Sequence, residues 1–189
     1  MKSSFSHFLM ILILLSPIAN AQEIYTGGND LQFTISGTSN VHDWEESVSK
    51  MTGTGKIVAN GDGTITVQSL DVTIQTEAIK STHGSIMDNK TYDALKAEKN
   101  PTITFKLTAP LNNIKIGSTV TAKGDLKVAG ITKPIDLNVK VNGTGDALQF
   151  EGTKNISMKD FGITPPTAFM GAMKVGETVT LKFKTTYKK

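Results

Sequence analysis

Residues 134–141 read Pro-Ile-Asp-Leu-Asn-Val-Lys-Val, and in them Ile135, Leu137, Val139 and Val141 alternate with Asp136, Asn138 and Lys140. Successive side chains of a strand point to opposite faces, so this stretch has one apolar and one polar face, as a half-buried antiparallel strand requires. The same period of two runs through Leu31, Phe33 and Ile35, through Ile103, Phe105 and Leu107, and through Val179, Leu181 and Phe183. Thr occurs 25 times, which suits strands whose outer face meets water.

Turn chemistry separates these runs. Asn60-Gly61-Asp62-Gly63 is a hairpin signal between Ala59 and Thr64, and Asn142-Gly143-Thr144-Gly145-Asp146 is another between Val141 and Leu148. The pattern predicts eight strands, near 31–36, 46–59, 64–76, 102–109, 118–128, 134–143, 147–157 and 177–187. One stretch lacks alternation: Asp88 to Glu98 predicts a short helix, capped by Asp88, stopped by Asn100-Pro101, with Tyr92 and Leu95 on one face. Alternation alone does not separate a closed barrel from a sandwich. Eight strands with one helix lean towards an antiparallel barrel, which has room for one small ligand.

Composition narrows the function. The chain has 189 residues and a formal charge of +3, with no Cys, which removes disulfides, thiolate metal sites and cysteine nucleophiles. All 20 basic residues are Lys, and only 6% of residues are aromatic. Without the Arg fork, a nucleic-acid partner is not expected. Lys2, the apolar run Phe8–Leu15 and Ala19-Asn20-Ala21 read as a signal peptide over residues 1–21. The expectation is export to the periplasm or secretion, one domain over 22–189, and no transmembrane segment in it.

Catalytic and metal chemistry is thinly supplied. His42 and His83 are far apart in sequence, each without a second local ligand, and no nucleophile-elbow, zincin, Walker or calcium-loop pattern occurs. An enzyme built on His42, Asp43, His83 and Asp88 needs them to converge in a cleft. The expectation is no enzyme, no metal and no cofactor. The more telling segment is Phe161 to Met173, two Phe and two Met around the double Pro165-Pro166 without strand or helix period, read as a loop packing on the barrel or walling an apolar pocket.

Four blocks carry a family resemblance: Phe33–Glu45 (FTISGTSNVHDWE), Ile86–Leu107 (IMDNKTYDALKAEKNPTITFKL), Gly124–Val141 (GDLKVAGITKPIDLNVKV) and Asp160-Phe161-Gly162-Ile163. In order and spacing they resemble the YceI family of bacterial exported proteins, over about Tyr25 to Lys188. The resemblance implies a lipocalin-like barrel holding a polyisoprenoid or a similar amphiphilic lipid. The chain departs from the commoner pattern at Lys80–Ser85, where many members carry Arg-Asp, at Ala129 in place of a His, and at Met158-Lys159. Quinones and fatty-acid derivatives therefore stand beside polyisoprenoids as expected ligands.

The inward candidates for such a pocket are Phe33, Ile35, Trp44, Val72, Ile74, Ile86, Met87, Tyr92, Leu95, Phe105, Phe161, Phe169, Met170 and Met173. The expected role is transport, storage or sequestration of the lipid. The alternative is a cell-envelope interaction or stress protein with no interior ligand. A homodimer is compatible with either.

Overall fold

The computed structural model describes residues 22–189, apart from the side chains of Asn29, Ala168 and Phe169. The signal-peptide reading of residues 1–21 lies outside the described residues. Among the described residues twelve strands form: β1 (Gln22–Ser39), β2 (Trp44–Val48), β3 (Met51–Ala59), β4 (Ile65–Gln75), β5 (Ile79–Ser81), β6 (Thr102–Leu107), β7 (Leu111–Ile114), β8 (Thr119–Val128), β9 (Ile131–Thr144), β10 (Ala147–Ser157), β11 (Thr167–Ala168) and β12 (Met173–Lys188). Eight of them close an antiparallel barrel in the order β1, β3, β4, β6, β8, β9, β10, β12, with β12 pairing back onto β1. Closure removes the open edges that a flat sheet of this composition would expose.

The four additional strands are short, and β1 is longer than its alternation predicts. Gly27-Gly28-Asn29-Asp30 looks like a turn in sequence, yet the strand continues through it as an irregularity with Gly28 and Asp30 at positive φ. Before it, Gln22–Gly27 pairs with β3; after it, Thr34–Gly37 pairs with β2. This change of partner also explains why the predicted strand 46–59 is two strands. At the corner between them, the Ser49 N–H and hydroxyl both donate to the Ala78 carbonyl, at 2.8 and 2.9 Å. β1 and β3 thus part company, and β2, β5 and the α-helix α1 (Ser85–Leu95) occupy the space.

α1 begins three residues before the predicted span and ends at Lys96 in the left-handed conformation. Asp88 does not cap it. The Asp88 carboxylate instead accepts the Ser81 N–H of β5 at 2.7 Å and stands 3.4 Å from the Lys80 ammonium. These polar ties hold one side of the helix, while Ile86, Met87, Ala94 and Leu95 face the interior.

The interior has two ends. Around the hairpins at 60–64 and 144–147, Tyr25, Ile57, Ile65, Val67, Ile114, Val141, Leu148, Phe150 and Tyr187 form a packed floor. At the other end, Phe105, Leu126, Met158, Phe161 and Ile163 form one cluster, and Val48, Met51, Ile74 and Ile79 another towards α1. Several inward rings lie flat on strand glycines. A Cβ at Gly124 would overlap the Phe105 ring, one at Gly152 the Phe183 ring, one at Gly37 the Trp44 indole, and one at Gly27 or Gly53 the Tyr187 phenol. A glycine weakens a strand, but here each leaves room for a ring to lie against the wall rather than across the lumen.

Candidate functional site

The inward faces of all eight barrel strands enclose a cavity of about 550 Å³ that runs from the floor to the helix end. This volume falls in the roughly 300–1,000 Å³ range of single-ligand sites. Its wall is almost wholly apolar. Phe33 and Ile35 come from β1, Val72 and Ile74 from β4, Phe105 from β6, and Leu137 and Val139 from β9. Each residue is inward because the strand period puts every second side chain there.

Eleven of the fourteen predicted residues line this cavity: Phe33, Ile35, Trp44, Val72, Ile74, Ile86, Met87, Leu95, Phe105, Phe161 and Met173. The structure places two others elsewhere. Tyr92 shares the helix with Leu95 but turns sideways, its hydroxyl within 2.9 and 3.0 Å of the Glu77 and Ile79 carbonyls and 2.6 Å from the Lys80 ammonium. A phenol in an apolar lumen would forgo those bonds. Met170 adopts positive φ and projects fully into solvent, because the loop turns back on itself there. The side chain of Phe169 lies outside those described. The segment 161–173 otherwise acts as wall: Phe161, Ile163 and Met173 are buried and reach the cavity.

The alternation also contained residues that the prediction passed over. Leu137, Val139, Leu181 and Phe183 belong to the quoted runs and line the cavity; Thr185 and Tyr187 continue the β12 run beyond Phe183 and line it too. Lys154 holds an inward position on β10 opposite Leu181, an unexpected cation on that face.

Polar groups gather at the mouth. His42 and His83 are brought together there, their rings stacked with centroids 6.1 Å apart. His42 Nδ1 donates to the Asp43 carbonyl at 2.8 Å, and His83 Nδ1 is 3.3 Å from the Thr82 hydroxyl. Among the described residues neither ring is hydrogen-bonded to a carboxylate. Trp44 Nε1 donates to the Thr38 carbonyl at 3.1 Å, so the indole lies on the rim with its polar edge satisfied. Loop 39–43 is tied to the opposite loop by the Asn40 amide, which donates to the Ala172 carbonyl at 2.9 Å and accepts the Lys174 N–H at 2.7 Å. Glu46 is buried and accepts the Thr91 hydroxyl of α1. Burial raises its carboxyl pKa above the ordinary value, with Asp88 adding to the rise and Thr91 opposing it.

The arrangement agrees with what the chain is similar to. A Pseudomonas aeruginosa UPF0312 protein is 34% identical over 99 residues, covering 49% of this chain and 50% of that protein. Escherichia coli protein YceI is 32% identical over 116 residues, covering 54% and 59%. The chain thus spans about half the length of the curated relatives it matches. Among the solved structures that share the fold are the following two. A Saccharophagus degradans domain, described as polyisoprenoid binding and implicated in plant cell wall breakdown, aligns with TM-score 0.68 and 12% identity, over 89% of this chain and 99% of that one. Burkholderia cenocepacia BcnA aligns with TM-score 0.64 and 18% identity, over 82% and 95%. Residues 24–187, nearly the whole barrel, match the YceI-like domain, and the chain belongs to that family.

Proposed function

We propose that this protein is an exported carrier that holds one amphiphilic lipid, a polyisoprenoid, quinone or fatty-acid derivative, inside the barrel for transport, storage or sequestration. The observation that carries the reading is the continuous apolar cavity walled by all eight strands. Each methylene moved from water into such a wall contributes about 0.8 kcal/mol, so a chain of many methylenes binds with few polar contacts. The polyisoprenoid-binding description of the Saccharophagus degradans domain supports the ligand class. The leader-like residues 1–21 support export to the periplasm or beyond. The reading is of a binder rather than a catalyst: the two mouth histidines meet, but each ring nitrogen that is bonded is bonded to a neighbour in sequence.

Native mass spectrometry tests this on protein purified from the exporting cell without detergent. The expected result is a stoichiometric lipid adduct whose extract names the ligand. An adduct-free mass that persists after incubation with polyprenol, quinone and acyl lipids overturns the proposal in favour of an envelope protein acting through its surface.

A further inference from the structure

The inward face of β12 is apolar through Val179, Leu181 and Phe183, then changes character. Its last two inward residues are Thr185 and Tyr187, with 4% and 1% exposure, and both line the cavity. Neither hydroxyl has a hydrogen-bond partner among the described residues. Buried hydroxyls are nearly always partnered, and one left unsatisfied is costly to the fold. The other two tyrosines follow that rule: Tyr25 donates to the Gly145 carbonyl, and Tyr92 has its two carbonyls.

Packing does not account for the Tyr187 hydroxyl. The ring lies in a bed made by Gly27 and Gly53, with Phe150 edge-on at 5.3 Å. A phenylalanine would fill the ring's place equally well. The hydroxyl reaches over the inward side of Gly53, where a Cβ would strike it. Tyr187 pairs with Leu148 and Thr185 with Phe150, so both lie in the packed floor, away from α1.

We infer that the floor of the cavity is a hydrogen-bonding subsite, in which the Tyr187 and Thr185 hydroxyls take a neutral oxygen at the ligand's polar end. The amphiphile enters head first, and its chain runs towards the mouth. A neutral oxygen fits better than an anion. Burial and the charge of Asp71 hold the phenol in its protonated form, so it offers a donor, and the lysines that line the cavity, Lys90 of α1 and Lys154 of β10, are not in the floor to offset a desolvated carboxylate. The inward Lys154 stands six residues along β10 from Leu148, about 20 Å nearer the mouth at strand spacing.

This inference rests on the lipid-binding reading, and its test separates the two. The probes are farnesol and the deoxy hydrocarbon of the same skeleton, competed at equilibrium and read by native mass spectrometry on wild type, Tyr187→Phe and Thr185→Val. Wild type is expected to prefer the alcohol by about tenfold, the ratio that one satisfied buried hydroxyl supplies. Tyr187→Phe should bring that ratio towards unity through loss of alcohol affinity, and Thr185→Val should reduce it in part. In the ligand-free protein, Tyr187→Phe should raise the thermal midpoint or leave it in place, since it deletes an unsatisfied group. A wild type that binds both probes alike overturns the subsite and leaves the lipid reading standing. So does a Tyr187→Phe protein that keeps the tenfold preference, or one that unfolds at lower temperature. A wild type that binds neither probe overturns the subsite as a site for an isoprenoid alcohol, and the same result with quinone and acyl lipids removes the lipid reading as well.

Discussion

Gly124 and Gly61 are both glycines of the barrel, and they should respond oppositely to a methyl group. Gly124 lies under the Phe105 ring, whereas a Cβ at Gly61 meets nothing within 4 Å. Gly124→Ala forces the ring off the wall and into the lumen. It is expected to cost about 1–3 kcal/mol, the usual range for overpacking, and to narrow the cavity. Gly61→Ala should stay within about 0.5 kcal/mol of wild type, as exposed substitutions without a packing role do. Urea denaturation of the two variants side by side checks both, and equal stability would show that the ring moves aside without strain.

At the scale of elements, one of the contacts that attach α1 titrates. The Thr91 hydroxyl of α1 donates to the buried Glu46 carboxylate of β2. Because burial raises the folded-state pKa of Glu46, its protonated form is favoured in the fold. The unfolded chain then binds fewer protons than the folded one between the ordinary and the raised value, so this group's contribution is full below that window and is lost as pH rises through it. Glu46→Gln, which keeps the shape and removes the charge, should flatten that part of the pH–stability curve and raise stability at neutral pH. Thermal midpoints measured from mildly acidic to neutral pH decide the matter. An unchanged slope in the variant would mean that Glu46 keeps its water in the folded state.

For the whole molecule, the cavity and the fold share one interior, so ligand and stability are linked. A ligand that binds only the folded barrel adds about 2.7 kcal/mol when present at 100 times its Kd. Protein stripped of lipid by organic extraction and refolded should therefore unfold at a lower midpoint than protein as purified, and readdition of the extract should restore it. Leu137→Trp places an indole in the lumen from the middle of β9, where the wall is only partly packed. It should keep the midpoint of the lipid-free protein and reduce the adduct fraction several-fold. Retention of the adduct at the wild-type level would place the lipid outside the barrel.

The period of two in Leu31–Ile35, Ile103–Leu107, Ile135–Val141 and Val179–Phe183 determined the strands and their inward faces, because side-chain direction in a strand is local geometry. The Asn60–Gly63 and Asn142–Asp146 hairpins were legible for the same reason. Closure was not, since the β1–β12 ladder joins residues 136 to 162 positions apart and leaves no local trace. The break of 46–59 at Ser49 and the passage of β1 through Gly28–Asp30 depended on which strands lay alongside. The pocket was legible as a set of apolar inward residues, but Tyr92 and Met170 were removed from it by tertiary hydrogen bonds and by a loop turn. The meeting of His42 with His83 and the unpartnered hydroxyls of Thr185 and Tyr187 were likewise decided only in three dimensions: a partner's presence depends on what other segments bring to the same place.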